Sequence, residues 1–343
     1  MLILAGGRGE RFWPWSRPGR PKQLLPLGSG ARTLLRATYD RACRVVEPGR
    51  ILVMTAVELR DACAREAPGA RVLGEPVMRN TAPAIAAAAA WLKDDDAFAV
   101  MPADHAIDDE SAFARDLERA FDLAERERVL MTFGIRPGGP ETNFGYIHRG
   151  AALGPGLHRV ARFTEKPGRD LAAAWLASGE YAWNSGIFVW RRGVFFDALA
   201  AGRPAIAAAL RDFTFSPRTP EGFGRALESV LAPLESVSVD YAVLESALNT
   251  LVLDASFDWD DLGSWSAWAR RQGHDQLGNV LFGDAIAIDC ERCVVVGDGG
   301  TAAAMGLHDM VVVHANGATL SCRLEDSDQV RRVSEAARAR ESS

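Results

Sequence analysis

Five basic residues, Arg8, Arg11, Arg17, Arg20 and Lys22, crowd one short stretch that begins within a glycine-rich turn made by Gly6, Gly7 and Gly9. Glycines after a buried strand let backbone amides approach a phosphate closely, and Arg8, Arg11 and Lys22 supply charge to neutralise a triphosphate. The spacing belongs to neither common phosphate loop: positions 8 and 11 are arginine, so GxGxxG fails, and no GK[ST] is present. Three glycines alone read equally well as a tight turn with surface arginines. The density of charge, with Pro21 fixing the entry to Lys22, favours an anion site. Lysine usage points the same way. Of 39 basic residues only Lys22, Lys93 and Lys166 are lysines, so a retained lysine marks a place where a compact ammonium fits and a guanidinium fork does not. Lys93 borders an acidic run and reads as solvated surface.

Asp104 follows an apolar run at 98–102, a usual position for a carboxylate that holds Mg²⁺ against phosphates; a helix or turn cap is the alternative. Asp258, Asp260 and Asp261 cluster after another strand-like run, and any one of them can supply a second metal ligand from a distant part of the chain. Glu165 and Lys166 precede Pro167, where a carboxylate suits sugar hydroxyls and an ammonium suits a sugar phosphate; the alternative is a surface ion pair. Asn184, in Trp183-Asn184-Ser185-Gly186, stands in a turn that can present its amide to a hydroxyl. Asn80 and Thr81 precede Pro83 and an alanine-rich run, and read first as a helix cap.

The elements that must carry these residues follow from periodicity. Strand-like runs at 1–5, 51–55, 71–73, 98–102 and 129–135 alternate with helical stretches at 57–66, 82–92 and 111–127. That alternation implies a parallel α/β sheet with ligands at the C-terminal ends of its strands, where residues 6–11 and Asp104 would sit. Beyond Phe144 the pattern is mixed, with strands at 157–164, 186–190 and 250–257 and helices at 170–178, 204–211, 221–231 and 239–248. From Gly273 to Arg323 short apolar runs broken by glycine and aspartate read as β rungs, closed by a polar helix over 326–340. We therefore expect a catalytic domain over 1–272 and a small β domain over 273–343.

With 343 residues, 48% hydrophobic and 24% charged, the chain can bury a large core. Its longest apolar stretch, 82–92, is about half of what a membrane span needs, and no basic leader precedes residues 1–5, so a cytoplasmic protein with no membrane association is expected. The net charge of −6 argues against a nucleic-acid partner. Cys290 and Cys293 form a lone CxxC, read as two buried strand cysteines in preference to a zinc site. The apolar rungs suggest packing against the large domain or a second subunit, a homodimer in the latter case.

Residues 4–23, with Phe12-Trp13-Pro14-Trp15-Ser16, resemble the sugar nucleotidyltransferases and, within them, the mannose-1-phosphate guanylyltransferase branch. Further matches follow in order: Glu75-Pro76 with residues 80–84, Pro102-Ala103-Asp104-His105, residues 141–146, residues 163–167, residues 183–186, residues 238–242 and residues 259–265. The resemblance covers nearly the whole chain. It implies an α/β fold with a Rossmann-like doubly wound mixed sheet of the nucleotidyltransferase or GT-A kind, and a C-terminal β domain like a left-handed β-helix. It implies Mg²⁺ as cofactor, and GTP and mannose 1-phosphate as substrates. It also implies nucleotide contacts from Leu4, Ala5, Gly6, Gly7, Gly9 and Arg11, with Glu75, Asn80, Thr81 and Ala82 near the base; the residues by themselves do not choose the base. Sugar contacts are implied for Gly145, Tyr146, Glu165, Lys166 and Asn184, catalytic roles for Arg8, Lys22, Asp104 and Lys166, and metal binding for Asp104 with Asp261. Rivals are a transferase for another base or sugar 1-phosphate and a non-catalytic sugar-nucleotide-binding regulator. Some relatives carry a further isomerase domain, which the residues after Gly273 are too few to supply.

Overall fold

The computed structural model describes every residue except Arg8, Asp94, Asp95, Ser342 and Ser343, and of Glu341 only the backbone. The chain forms two compact units that do not follow chain order: Met1–Gly6, Thr38–Ala103 and Ile107–Trp259 make one, while Gly7–Ala37, Asp104–Ala106 and Asp260–Ser343 make the other.

The first unit is built on a nine-stranded sheet. Its strands are β1 (Leu2–Leu4), β2 (Leu52–Ala56), β3 (Arg71–Glu75), β4 (Ala97–Pro102), β5 (Leu130–Ile135), β6 (Gly145–Gly154), β7 (Leu157–Glu165), β8 (Tyr181–Arg191) and β9 (Thr250–Asp254), in the order β3-β2-β1-β4-β8-β5-β9-β7-β6. The β3-β2-β1-β4 half is parallel. β8 reverses direction against both β4 and β5, so the sheet is mixed. β2 and β5 are buried along their whole length, as strands covered on both faces must be, which is why they read as continuous apolar runs. The helix Thr81–Ala88 is rich in alanine and buried at every residue after Thr81, small side chains letting it sit deep in the core. The helix Glu110–Arg126 starts on an Asp109 cap and buries Phe113, Leu117, Ala120 and Ala124, one face of a 3.6-residue period.

In the second unit, β10 (Val280–Ile288), β11 (Val294–Met305) and β12 (Met310–Ala315) stack in parallel and β13 (Ala318–Arg323) returns antiparallel. Short turns join the parallel strands, with Asp289, Arg292 and Asp309 in the left-handed region at the corners. The helix Val330–Glu341 closes the chain. One core joins Phe12, Trp15, Leu25 and Leu34 to Trp265, Trp268, Val294, Val311 and Val330, so the basic loop near the N-terminus folds with the C-terminal strands.

Several elements depart from expectation. The strand expected at 186–190 is the end of the longer β8, and 239–248 holds only a single π-helical turn, Asp240–Leu244. The strand expected over 250–257 stops at Asp254. β6 is buried over Gly145–Ile147 and exposes Ala151, Ala152 and Leu153 along its outer half, so no clean alternation marks it. The helix Arg192–Gly202 follows β8 with no loop residue between them and buries Val194, Phe195, Phe196 and Leu199, which hides the change of period. Cys290 and Cys293 are buried, but in the turn between β10 and β11 and not on strands; their thiols donate to the carbonyls of Ile288, Glu291 and Leu307. Among the described residues no helix is long and apolar enough to cross a membrane.

Candidate active site

Each unit gathers its own cluster. In the second unit, Lys22, Asp104 and Asp261 come together from three distant segments. An isolated antiparallel bridge between Ala106 and Asp260, closed by amide–carbonyl bonds of 2.8 and 3.0 Å, draws the 104–106 and 260–263 segments side by side. Lys22 Nζ donates to Asp104 Oδ2 at 3.0 Å and to the Asp261 carbonyl. Its side chain is 9% exposed and that of Asp104 is 33% exposed, so one end of the pair is buried and the other reaches solvent. Burial alone would raise the Asp104 carboxyl, but the Lys22 and His105 charges and the Lys22 hydrogen bond outweigh it and hold the group below the usual carboxylate range. Asp261 moves the other way. Burial raises its carboxyl against the pull of Lys22, and the charges of Asp260 and Asp104 add to the rise.

Local backbone geometry is fitted to this cluster. Gly9 lies in the left-handed region with φ 64°, and a Cβ there would collide with both Cβ and N of Lys22. Asp261 Oδ1 accepts from the Gly263 amide at 3.0 Å, and a Cβ on Gly263 would stand 2.8 Å from Asp261 Oδ2. Between them Leu262 is fully buried at φ 46°, a strained conformation for a leucine that the surrounding core enforces. Arg11 Nη1 donates to the Gly263 carbonyl at 3.4 Å.

The three aspartates the sequence left undivided now separate. Asp258 Oδ1 accepts from the amides of Asp108 and Asp109 at 2.9 and 2.7 Å, holding the turn before a helix. Asp260 Oδ1 accepts from the Leu262 amide at 2.8 Å, with Arg270 beside it. Asp261 is the one that feels both Lys22 and Asp104.

The first unit holds the second cluster. Lys166 Nζ pairs with Glu165 Oε1 at the end of β7, and Lys166 itself sits at φ 48° with its amide donating to Phe144 O at 3.2 Å. Gly145 at the start of β6 leaves room here: a Cβ would lie 2.5 Å from Glu165 Oε2 and 3.4 Å from the Asn184 Cβ. Asn184 on β8 donates through Nδ2 to Asp240 Oδ1 at 2.9 Å, and its Oδ1 accepts from Thr132 Oγ1 and the Gly186 amide. Asp240 is pushed up to about 6, chiefly by burial and then by the Glu165 charge. Sequence reasoning gives Asp240 no role, and its signal is its place in the 238–242 match.

The remaining expected site residues divide by what their groups already do. Ala5 hydrogen-bonds Met54 and Thr55 through its backbone, and the Leu4 carbonyl accepts from Ala103. Gly6 has Met78 Cε 3.0 Å from a would-be Cβ, whereas Gly7 faces open space. Arg8 lies outside the described residues. Glu75, at the end of β3, is 5% exposed; its Oε1 has no hydrogen-bond partner among the described residues, and burial pushes the carboxyl up to about 8. Asn80, at φ 66°, caps the next helix through its own side chain. Thr81 Oγ1 accepts from the Val239 amide at 2.8 Å, and the Ala82 amide donates to Val237 O, so these two tie the helix to the segment that carries Asp240. Tyr146 does not present its side chain as expected: the ring is fully buried against Trp175 and its hydroxyl donates to Glu141 O at 2.9 Å. Period 2 puts neighbours Gly145 and Tyr146 on opposite faces of β6, which is why only the first looks onto Glu165.

The comparisons with known proteins give the family. Residues 1–276 match the nucleotidyl transferase family. A mannose-1-phosphate guanylyltransferase of Klebsiella pneumoniae is 39% identical over 347 residues, covering 97% of this chain and 73% of the relative. The chain belongs to the mannose-1-phosphate guanylyltransferase family. It is a nucleotidyltransferase. Another member of the mannose-1-phosphate guanylyltransferase family, from Escherichia coli, is 38% identical over the same share of both chains. A solved structure from Thermus thermophilus, named a mannose-1-phosphate geranyltransferase, superposes with a TM-score of 0.87 at 35% identity over 98% of each chain. Its named transferred group differs from that of the curated relatives. Residues 283–336 match the MannoseP isomerase/GMP-like beta-helix domain, which agrees with the parallel stacking of β10 to β12.

Proposed function

We propose that the protein transfers the guanylyl group of GTP to mannose 1-phosphate, giving GDP-mannose and pyrophosphate. The observation that carries this reading is the ammonium of Lys22 held between the Asp104 carboxylate and the Asp261 carbonyl, a charged cluster suited to a polyphosphate and its cation. The names of the curated relatives supply the base and the sugar.

In this reading an oxygen of the sugar's phosphate attacks the α-phosphorus of GTP, and the bond from that phosphorus to the oxygen bridging to the β-phosphate breaks. The electron pair leaves with pyrophosphate, so no proton transfer or covalent enzyme intermediate is required. The protein's task is alignment and charge neutralisation. Arg8, Arg11 and Lys22 neutralise the triphosphate, and the amides of the turn at Gly6, Gly7 and Gly9 approach it. Lys166 holds the attacking phosphate, while Glu165 and Asn184 take sugar hydroxyls beside the space left by Gly145. Glu75, whose buried carboxyl oxygen lacks a partner, lies toward guanine with residues 80–82, where the base's N–H groups would satisfy it. Tyr146 supports the sugar end from beneath through its packing.

A divalent cation fits the second-unit cluster. Asp104 and Asp261 offer hard oxygen ligands, and their mutual repulsion is what a cation would relieve. Among the described residues no group of three or more His, Cys, Asp or Glu side chains is arranged as a metal cage, so Mg²⁺ would take these two carboxylates and complete its shell from phosphate and water. When bound it neutralises phosphate charge as the α-phosphorus is attacked. We assign residues 1–272 to catalysis and 273–343 to the β domain, and place the enzyme in the cytoplasm, with which its free cysteines agree.

GTP labelled in its α-phosphate, incubated with purified protein, Mg²⁺ and mannose 1-phosphate, tests the reading. Label appearing in GDP-mannose in step with pyrophosphate supports it. Label confined to GTP, or released as GMP, overturns it.

A further inference from the structure

Residues 9–22 would have to hold a triphosphate steadily, yet the segment has little regular structure of its own: one short 3₁₀ turn at Glu10–Phe12 and another beginning at Lys22. Its order comes from the C-terminal strands and helix of the same unit. A single carboxylate oxygen, Asp298 Oδ2 on β11, accepts from Trp15 Nε1 and from Arg20 Nη1, each at 2.7 Å. The Trp15 ring is wholly buried, stacked on Trp265 at 5.8 Å and packed against Phe282 at 5.0 Å. Asn316, in the turn between β12 and β13, donates to the Pro14 carbonyl at 2.8 Å. On the C-terminal helix, Arg331 and Arg338 both pair with Glu10.

From Asp298 an unbroken set of short contacts runs to the charged cluster. Arg17 and Arg20 exchange backbone hydrogen bonds, which closes the turn that leads into Pro21 and Lys22. Ser16, next to Trp15, donates from Oγ to the Gly9 carbonyl at 2.7 Å. Gly9 lies directly against Lys22, and Lys22 reaches Asp104. Removing Asp298 would leave a buried indole N–H and a guanidinium without their acceptor. The turn that fixes the start of Lys22 would lose its anchor.

We propose that Asp298 is a positioning residue for the phosphate-binding segment, and that the C-terminal β domain sets the enzyme's affinity for the nucleoside triphosphate through it. It touches no substrate and acts by holding Trp15 and Arg20. The inference rests on Lys22 being a triphosphate ligand, as read above, and gives the β domain a part in nucleotide binding beyond folding. Because Asp298 belongs to the unit that carries Lys22 and not to the unit that carries the sugar cluster, the effect belongs to the nucleotide alone.

The test compares wild type with Asp298→Ala, Asp298→Asn and Arg20→Gln, by pyrophosphate-release kinetics and by hydrogen exchange of the free proteins. A misplaced segment far from the chemistry can cost on the order of 10²-fold. We expect Asp298→Ala to lose about 10- to 100-fold in kcat/KM for GTP, with KM for mannose 1-phosphate within about twofold. Amides over residues 9–24 should exchange faster, and those over 145–186 should not change. Asp298→Asn keeps an acceptor for Trp15 and should fall between the two. Arg20→Gln should reproduce most of its loss, and the double variant should add little to either single change. Should Asp298→Ala fail to fold, Asp298→Asn and Arg20→Gln are read by the same criteria.

GTP kinetics within twofold of wild type with unchanged exchange over 9–24 would overturn the proposal. So would equal losses for both substrates with faster exchange throughout, which is the mark of a general loss of stability. A wild type silent with GTP would sink the reaction assigned above and leave the exchange data to decide on Asp298.

Discussion

The two clusters differ in how they are made. Lys22, Asp104 and Asp261 come from three distant parts of the chain, and their loop is held by Asp298, Asn316, Arg331 and Arg338. Glu165, Lys166 and Asn184 stand on or beside adjoining strands of one sheet, with Gly145 between them and Asp240 behind. The first is an assembly of charges whose position depends on tertiary braces. The second is a set of hydrogen-bonding groups whose position comes with strand register. Phosphates need concentrated positive charge and tolerate a loop that is braced from outside; hydroxyls need directed donors and acceptors on a stiff frame.

Charge removal in the braced cluster should give the largest effects. Lys22→Ala, Asp104→Asn and Asp261→Asn are each expected to lower turnover by about 10² to 10⁴, several kcal/mol of transition-state stabilisation. Asp258→Asn should leave turnover within a few-fold, because that side chain holds the amides of Asp108 and Asp109. Steady-state rates of the folded variants check both halves. Parity between Asp258→Asn and Asp261→Asn would erase the distinction between them.

In the strand-mounted cluster, Asn184→Ala and Asp240→Asn should raise KM for mannose 1-phosphate by about tenfold and leave KM for GTP nearly unchanged, roughly 1.4 kcal/mol of lost binding. Asp240 also gives this end a pH signature. Its carboxyl titrates near 6, so below that pH Asn184 loses an anionic acceptor and the sugar KM should climb; in Asp240→Asn the climb should vanish. For stability the sign is opposite. Raised above its ordinary value, this group stabilises the fold fully below the usual aspartate range, and that contribution is lost as pH rises towards 6.

Glu75 gives a smaller and separable effect. Its carboxyl is raised to about 8 by burial, so its contribution to stability is present in full below the ordinary glutamate range and declines as pH rises through 8. The decline is at most about 1.4 kcal/mol per pH unit. Denaturant unfolding from pH 5 to 9 should show it in the wild type and not in Glu75→Gln. The smallest change is expected from Tyr146→Phe: both KM values within about twofold and a stability loss of about 1 kcal/mol from the missing bond to Glu141. A large rise in the sugar KM alone would mean that the hydroxyl reaches substrate after all.

Much of the fold is legible in the sequence. The apolar runs at β1, β2 and β4 and the glycines around the basic loop are local signals, and they marked the parallel half of the sheet and the segment that carries Lys22. Lysine scarcity pointed to Lys22 and Lys166, and both have carboxylate partners. What stayed hidden depends on the partner of each group. Three neighbouring aspartates look alike in sequence and differ only in what faces them. Tyr146 beside Gly145 reads as one motif until the pleat sends the two to opposite faces. Arg20 added to the density of basic charge in the sequence, yet Asp298, 278 residues away, takes it. No local pattern announces such a pairing.

The most direct measurement is the initial rate of pyrophosphate release by purified protein with Mg²⁺, across GTP, ATP, UTP and dTTP, each paired with mannose 1-phosphate and with glucose 1-phosphate. The account requires release confined to GTP with mannose 1-phosphate, and its loss in Lys22→Ala. Release with another pair at a higher rate, or undiminished release in Lys22→Ala, would contradict it.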